Sequence, residues 1–337
     1  MTEMNERYRE LFAGKSVLIT GGLGFIGSNL ARRLVDLEAD VLLVDSLIPA
    51  YGGNLYNVKG LEPKLKINIA DVRDVNGMQY LLRHQDFLFN FAGQVSHIDS
   101  MEDPETDLEI NCRSQLSILE ACRRGNPKAR ILYASTRQIY GRPVKLPADE
   151  SHPIRPTDVN GVNKAGGEMY HRLYHQVYGL RTTSLRLTNT YGPRQLVKHN
   201  RQGFAPWFIR QAVRKEEILI FGDGSQKRDF NYVDDVVDAF LKAALSEKAV
   251  GEVYNLGASP PVSLLEFVKT LLEVAGGGGG FKIVPFPDER KRIDIGDFYN
   301  DFGKIRKELG WEPQVNLREG LARTVDYYRR NIDHYLD

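Results

Sequence analysis

Chemistry in this chain starts with three glycines. Gly21, Gly24 and Gly27 stand three apart in Thr20-Gly21-Gly22-Leu23-Gly24-Phe25-Ile26-Gly27. Glycines in a strand-to-helix turn let the backbone approach a pyrophosphate, and the helix opening behind them offers N–H groups and a positive dipole end. Asp45 follows about 20 residues on, where a carboxylate can bond the 2′-hydroxyl of an adenosine ribose. The same carboxylate repels a 2′-phosphate, and Ser46, Leu47 and Ile48 bring no cation, so the pattern points to NAD rather than NADP. The competing reading is a plain tight turn.

The elements that must hold these residues can be read from apolar periodicity. Residues 16–19 form a short apolar, β-branched strand. Residues 28–37 have helical spacing, with Leu30, Leu34 and Leu37 on one face, and 41–44 is a second strand ending at Asp45. A third strand, 65–69, runs into Asp71-Val72-Arg73-Asp74, at a strand end suited to touching a ligand; a solvated turn explains those charges equally. Strand four, 87–91, closes through Phe91 on Ala92-Gly93-Gln94, small residues that admit a cofactor close to the backbone. A long helix over 104–124 carries Leu108, Leu116 and Leu119 as core positions. Strands at 130–134 and 183–187 flank a helix at 164–178. This alternation predicts an α/β fold, a Rossmann-type doubly wound parallel sheet covered by helices on both faces.

Beyond about residue 190 the pattern loosens. Helices are expected at 203–215, within 230–245, at 302–309 and at 317–330, with strands at 218–221 and 253–256. Ser263 and Glu266 form a capping box before a helix to 274. We expect a dinucleotide domain over 1–190, with later segments returning to it, and a smaller substrate-binding lobe over 191–337.

Composition narrows the class. The chain has 337 residues and a formal net charge of +1, so no electrostatic footprint for nucleic acid is present. Its apolar runs fall far short of the ~18 residues of a membrane span, and the polar start is unlike a secretory signal. Cys112 and Cys122 have neither metal nor redox spacing and read as two buried thiols. A cytoplasmic enzyme without a metal fits.

The glycine form TGGLGFIG closely resembles the extended short-chain dehydrogenase/reductases that act on nucleotide sugars, and the resemblance runs from Val17 to Pro313. Ser135-Thr136-Arg137-Gln138-Ile139-Tyr140-Gly141 is similar to their S-[ST]-x-x-x-Y-G. Leu185 to Arg194 is similar to their L-R-x-x-N-x-Y-G-P, and Phe221 to Asp235 to their G-D-G-x-x-x-R-D-F. The resemblance implies that Asp71 and Val72 meet the adenine and that Asn111 holds active-site geometry. It puts the Thr136 hydroxyl on the sugar's reacting oxygen. It gives the diphosphate to Asn189 and Arg228, with Arg292, or Arg290, as a further candidate, and a base to Phe221. Read without it, Ser135 and Thr136 cap a turn equally well, and Arg228 beside Asp229 is an ordinary ion pair.

Dehydratases of this group carry Asp-Glu after the hydroxyl; here Arg137 and Gln138 stand there, and neither is a general acid near neutrality, which argues against 4,6-dehydration. The family also pairs a tyrosine base with a lysine four residues later. Lys164 matches and would hold the nicotinamide ribose, but Asn160 occupies the tyrosine's position. A carboxamide cannot take a proton in this range. Three readings stay open. His97, just past Gly93-Gln94, could replace the base, since imidazole titrates near neutrality, although a structural histidine serves the sequence as well. Thr136 and Asn160 could pass the proton to water. Or the protein binds without oxidising.

The expectation is an NAD-dependent nucleotide-sugar epimerase, nearest the UDP-sugar 4-epimerases and CDP-sugar 2-epimerases. Its substrate would be a UDP- or CDP-hexose, and its assembly a homodimer through two long helices, as is the family's habit. Net oxidation or decarboxylation, and a silent binding protein, are the alternatives.

Overall fold

The computed structural model describes residues 3–287 and 294–336. Seven strands make the main sheet: β1 (Ser16–Thr20), β2 (Asp40–Asp45), β3 (Leu65–Ile69), β4 (Phe87–Asn90), β5 (Arg130–Thr136), β6 (Arg181–Leu187) and β7 (Val253–Asn255). Their order is β7-β6-β5-β4-β1-β2-β3, and every pairing is parallel. The order reverses between β1 and β4, so a crevice opens beyond their carboxyl ends.

Both faces of the sheet are covered, which is why its strands read as unbroken apolar runs. Val17, Ile19, Val41 and Leu43 pack with Leu30 and Leu34 of helix Phe25–Asp36 and with Val236 and Phe240 of helix Val233–Leu245. Leu18, Val44, Leu88 and Ile131 face the other way, onto Met78, Ile118, Leu119 and Tyr174. A separate cluster gathers Tyr191, Ile209, Phe230, Phe267, Leu271, Leu321 and Tyr328. Around it lie small strand pairs, Ile218–Phe221 with Phe281–Val284 and Asn189–Tyr191 with Phe230–Tyr232. The capping box at Ser263 and Glu266 is present. No helix among the described residues is long and apolar enough to cross a membrane.

Three expectations need correction. The glycine-turn helix begins at Phe25, because Gly24 in extended conformation already serves as its N-cap. The helix expected to begin at 164 runs Val159–Tyr178: Asp158 caps it, accepting the Gly161 N–H at 2.7 Å. The expected single helix over 104–124 is three pieces, Pro104–Leu108, a π-helical turn Glu109–Arg113, and Ser114–Gly125. The wide turn inserts a residue and shifts the helix face, so Asn111 is buried while Leu108, taken as core, is exposed. Cys122 is buried as expected, but Cys112, within that turn, is only half-buried.

Candidate active site

One cavity of about 420 Å³ follows the carboxyl ends of the strands. At one end it is lined by Asp45, Asp71 and Val72, after β2 and β3. In the middle lie Gly21, Gly24, Phe25, Ile26 and Gly27 after β1, and Phe91, Ala92, Gly93 and Gln94 after β4. At the far end are His97, Thr136, Asn160, Lys164 and Asn189. The parallel sheet thus brings together residues as far apart in the chain as Gly21 and Asn189.

The glycines are required by close approach. Gly21 has φ +65°, and a Cβ there would meet the Ala92 nitrogen at 2.9 Å; one on Gly27 would lie 2.2 Å from the Gly21 oxygen. The Asp45 carboxylate accepts N–H bonds from Leu23 at 3.0 Å and Leu47 at 2.9 Å. Burial pushes its carboxyl up, against the pull of those N–H groups and that of Gly24. Asp71 is held by Arg73 at 2.7 Å, which draws its carboxyl below the usual range. Asp74 caps helix Val75–Leu81. The charges after β3 are therefore partly structural, and only Asp71 of the three lines the cavity.

At the far end Ser135 and Thr136 separate. Ser135 donates to Glu168 at 2.6 Å, inside a buried pair of Glu168 with Arg186. Thr136 caps the short turn Arg137–Tyr140, accepting the Gln138 N–H at 3.2 Å, and lines the cavity. Lys164 donates to the Ala134 carbonyl at 2.6 Å and sits 4.5 Å above the Tyr133 ring. Burial lowers its ammonium to about 8, although Asp107 and Glu168 pull the other way.

Asn160, four residues before Lys164, is held by its own hydrogen bonds. Its Nδ2 donates to the Gln94 carbonyl at 2.7 Å and to Asp107 Oδ2 at 2.9 Å. Asn111 and Asn163 also donate to Asp107, at 3.0 and 2.8 Å. Three carboxamides thus satisfy one buried carboxylate, and Asn111, from the π-turn, ties the cluster to Gln94 as well, at 2.9 Å. His97 Nδ1 pairs with Asp158, and its Nε2 meets the Gln138 carboxamide at 2.5 Å. Burial would raise the Asp158 carboxyl, but His97, the Gly161 N–H and Arg137 hold it below its ordinary value. A carboxylate on Nδ1 fixes the tautomer in which Nε2 is an acceptor, here of the Gln138 carboxamide.

Sequence reasoning missed Asp158, Asp107 and the cavity-facing role of Gln138. The first carried a signal: an aspartate before Val159-Asn160-Gly161 is a helix N-cap. The other candidates stand apart. Arg228 and Phe221 are not among the cavity-lining residues. Arg228 donates to the carbonyls of Lys227 at 2.9 Å and Gly296 at 2.5 Å, and Phe221 lies 6.0 Å from the Phe286 ring. Asn189 does line the cavity and donates to the Asp229 carbonyl at 3.0 Å. Arg290 and Arg292 lie outside the described residues.

A glycine turn at the switch point of a doubly wound sheet, followed by a hydroxyl and a lysine at the end of β5 and on the next helix, defines an extended short-chain dehydrogenase/reductase. The chain belongs to the NAD dependent epimerase/dehydratase family, whose sequence pattern matches residues 17–257. It is 34% identical over 316 residues to a putative UDP-glucose 4-epimerase of Methanocaldococcus jannaschii, covering 94% of this chain and 99% of that protein. Among solved structures, the UDP-glucose 4-epimerase of Thermotoga maritima with UDP-glucose superposes with a TM-score of 0.86 at 33% identity, over 94% and 99% of the two chains. The Thermus thermophilus UDP-glucose 4-epimerase in complex with NAD gives 0.83 at 31%, over 94% and 99%. NAD is the cofactor, and the turn fits it: side chains on Gly21 or Gly27 would collide with the chain's own backbone, and the three glycines leave that backbone bare along the cavity, where a pyrophosphate can approach it.

Proposed function

We propose that the protein is an NAD-dependent nucleotide-sugar epimerase in which His97, backed by Asp158, replaces the family's tyrosine. The observation that carries this is the Asp158–His97 pair lining the same cavity as Thr136 and Lys164. Gly21, Gly24 and Gly27 would pass the pyrophosphate, Asp45 the adenosine ribose, and Asp71 and Val72 the adenine. Lys164 would hold the nicotinamide ribose. NAD, when bound, supplies a hydride acceptor that later returns the hydride.

Thr136 donates its hydroxyl proton to the sugar's reacting oxygen and fixes it. His97 Nε2 takes the proton of that sugar hydroxyl as the carbon becomes a ketone, and Asp158 stabilises the imidazolium. The sugar hydroxyl must first displace the Gln138 carboxamide from Nε2. Reduction of the ketone from its other face, with the proton returned from His97, yields the epimer with no net redox change. Asn160 is a positioning residue in this scheme, holding Gln94 and Asp107 under Lys164. The residues after about 190 form the lobe for the nucleotide sugar, with Asn189 and Arg228 on its diphosphate.

The supporting experiment is incubation of the purified protein with UDP- and CDP-hexoses, read by proton NMR for a second anomeric signal and by NADH absorbance. A new epimer that His97→Ala abolishes supports the reading. An undiminished rate in His97→Ala removes His97 as the base. Binding with neither product nor NADH favours a silent sugar-nucleotide protein.

Helix Val159–Tyr178 exposes Val162, Met169, Leu173 and Val177. A second copy of the chain packing on this stripe is the homodimer we infer. Light scattering of the wild type and of Leu173→Glu tests it, with a monomeric wild type as the refuting result.

A further inference from the structure

The far end of the cavity holds a cation that the scheme above does not use. Arg137, the residue after Thr136, lines the cavity, and its Cζ lies 5.2 Å from the centre of the Phe298 ring. Its guanidinium makes no hydrogen bond among the described residues, and Nη1 is closed off from solvent as well. The two N–H donors of Nη1 are thus left without an acceptor, which is costly for a buried group. Burial and the neighbouring Arg228 lower its ionisation to about 10, so it still carries its charge near neutrality.

The acids around Arg137 are already engaged. Asp158 is bonded to His97 and to the Gly161 N–H. Asp229 accepts from Thr188 and, at 3.0 Å, from the Asn300 N–H. Asp294 accepts from Gln226 and the Gly296 N–H, both at 3.2 Å, and lies 3.9 Å from Arg228. Two guanidiniums therefore share a neighbourhood in which no carboxylate is hydrogen-bonded to Arg137, so the group that completes Arg137 has to arrive with the ligand. A planar fork selects a planar, two-oxygen anion.

Position decides which anion. Arg137 follows Thr136 directly at the end of β5, and Gln138 after it touches His97. It therefore stands beside the reacting hydroxyl, whereas Asp45, at the adenosine end, is three strands away across the sheet. Resting on the epimerase reading, we propose that Arg137 recognises a carboxylate on the sugar ring, so that the substrate class is a nucleoside-diphosphate uronic acid rather than a neutral hexose. Arg228 is left to the diphosphate.

The test is calorimetric titration of the NAD-loaded protein with UDP, UDP-glucose and UDP-glucuronate, and with CDP and dTDP as further nucleotides. One nucleobase across the first three isolates the sugar. The wild type should bind UDP-glucuronate at least tenfold tighter than UDP-glucose. Arg137→Gln should make the two equal and leave UDP unchanged, and Arg137→Lys should recover part of the preference, because a point charge lacks the fork. Equal affinities in the wild type overturn the proposal while leaving the epimerase reading standing. A matching loss for UDP in Arg137→Gln overturns it too, assigning Arg137 to the diphosphate. Failure of UDP, CDP and dTDP alike to bind overturns the nucleotide-sugar reading itself and this proposal with it. The wild-type comparison decides even where the variants fold poorly.

Discussion

Lys164 offers a prediction whose size can be worked from its surroundings. Its ammonium is buried against the Tyr133 ring, with the Ala134 carbonyl as its hydrogen-bond acceptor. Burial lowers it from 10.5 to about 8 in the folded, cofactor-free protein. At about 1.4 kcal/mol per pH unit, that gap amounts to about 3 kcal/mol of stability withheld while the folded lysine stays charged. Between about pH 8 and 10.5 the unfolded chain keeps the proton and the folded chain has released it. The unfolded state then binds more protons, so stability rises with pH through this window. The cost is fully present below about 8 and gone above about 10.5.

Replacing the lysine by methionine removes the titration. Urea unfolding of the wild type and Lys164→Met, measured in parallel from about pH 7 to about pH 10, cancels the contributions of the many tyrosines. The wild-type stability should climb relative to the variant by about 2–3 kcal/mol across that range. A constant difference would refute the reasoning, since it would mean that Lys164 is as well solvated folded as unfolded. The same loss of charge should weaken NAD binding as pH rises above about 8 in the wild type, and not in the variant.

Further outcomes follow from the other residues. Asp158→Asn keeps the helix cap but loses the carboxylate behind His97, and should lower kcat by about 10²–10⁴-fold with little change in stability. Asp45→Ala should narrow a preference for NAD over NADP of at least about tenfold, read by titration of both cofactors. Asn160→Asp sets a second carboxylate where Nδ2 now lies 2.9 Å from Asp107. One acid of that pair is then held protonated, its value raised on folding, so the melting temperature should fall further below wild type as pH rises from about 5 to 8. Arg228→Ala should weaken nucleotide-sugar binding by a few kcal/mol, about 2–3, while sparing NAD.

The sequence by itself determined the half of the molecule that rests on local pattern. β-Branched apolar runs separated by helical periodicity specify a buried parallel sheet, because only strands covered on both faces read as continuous apolar stretches. The glycines at 21, 24 and 27 and the acid at 45 fall within one strand-turn-helix-strand unit, so the dinucleotide end of the cavity was legible without a structure. The asparagine four residues before Lys164 was legible too, since a residue's identity needs no coordinates.

What surrounds His97 and Asn160 was a tertiary matter. His97 and Asp158 are far apart in the chain and meet only because β4 and β5 lie side by side, carrying the loops beyond them into one crevice. The π-turn that swings Asn111 inward has no periodic signature, because its single extra residue merely blurs a helical pattern. Asn160 looked like a defective base until its carboxamide was found beside those of Asn111 and Asn163 on Asp107. Arg137 read only as the absence of an acid. That its guanidinium is left without an acceptor depends on where Asp158, Asp229 and Asp294 spend their own hydrogen bonds, and packing alone decides that.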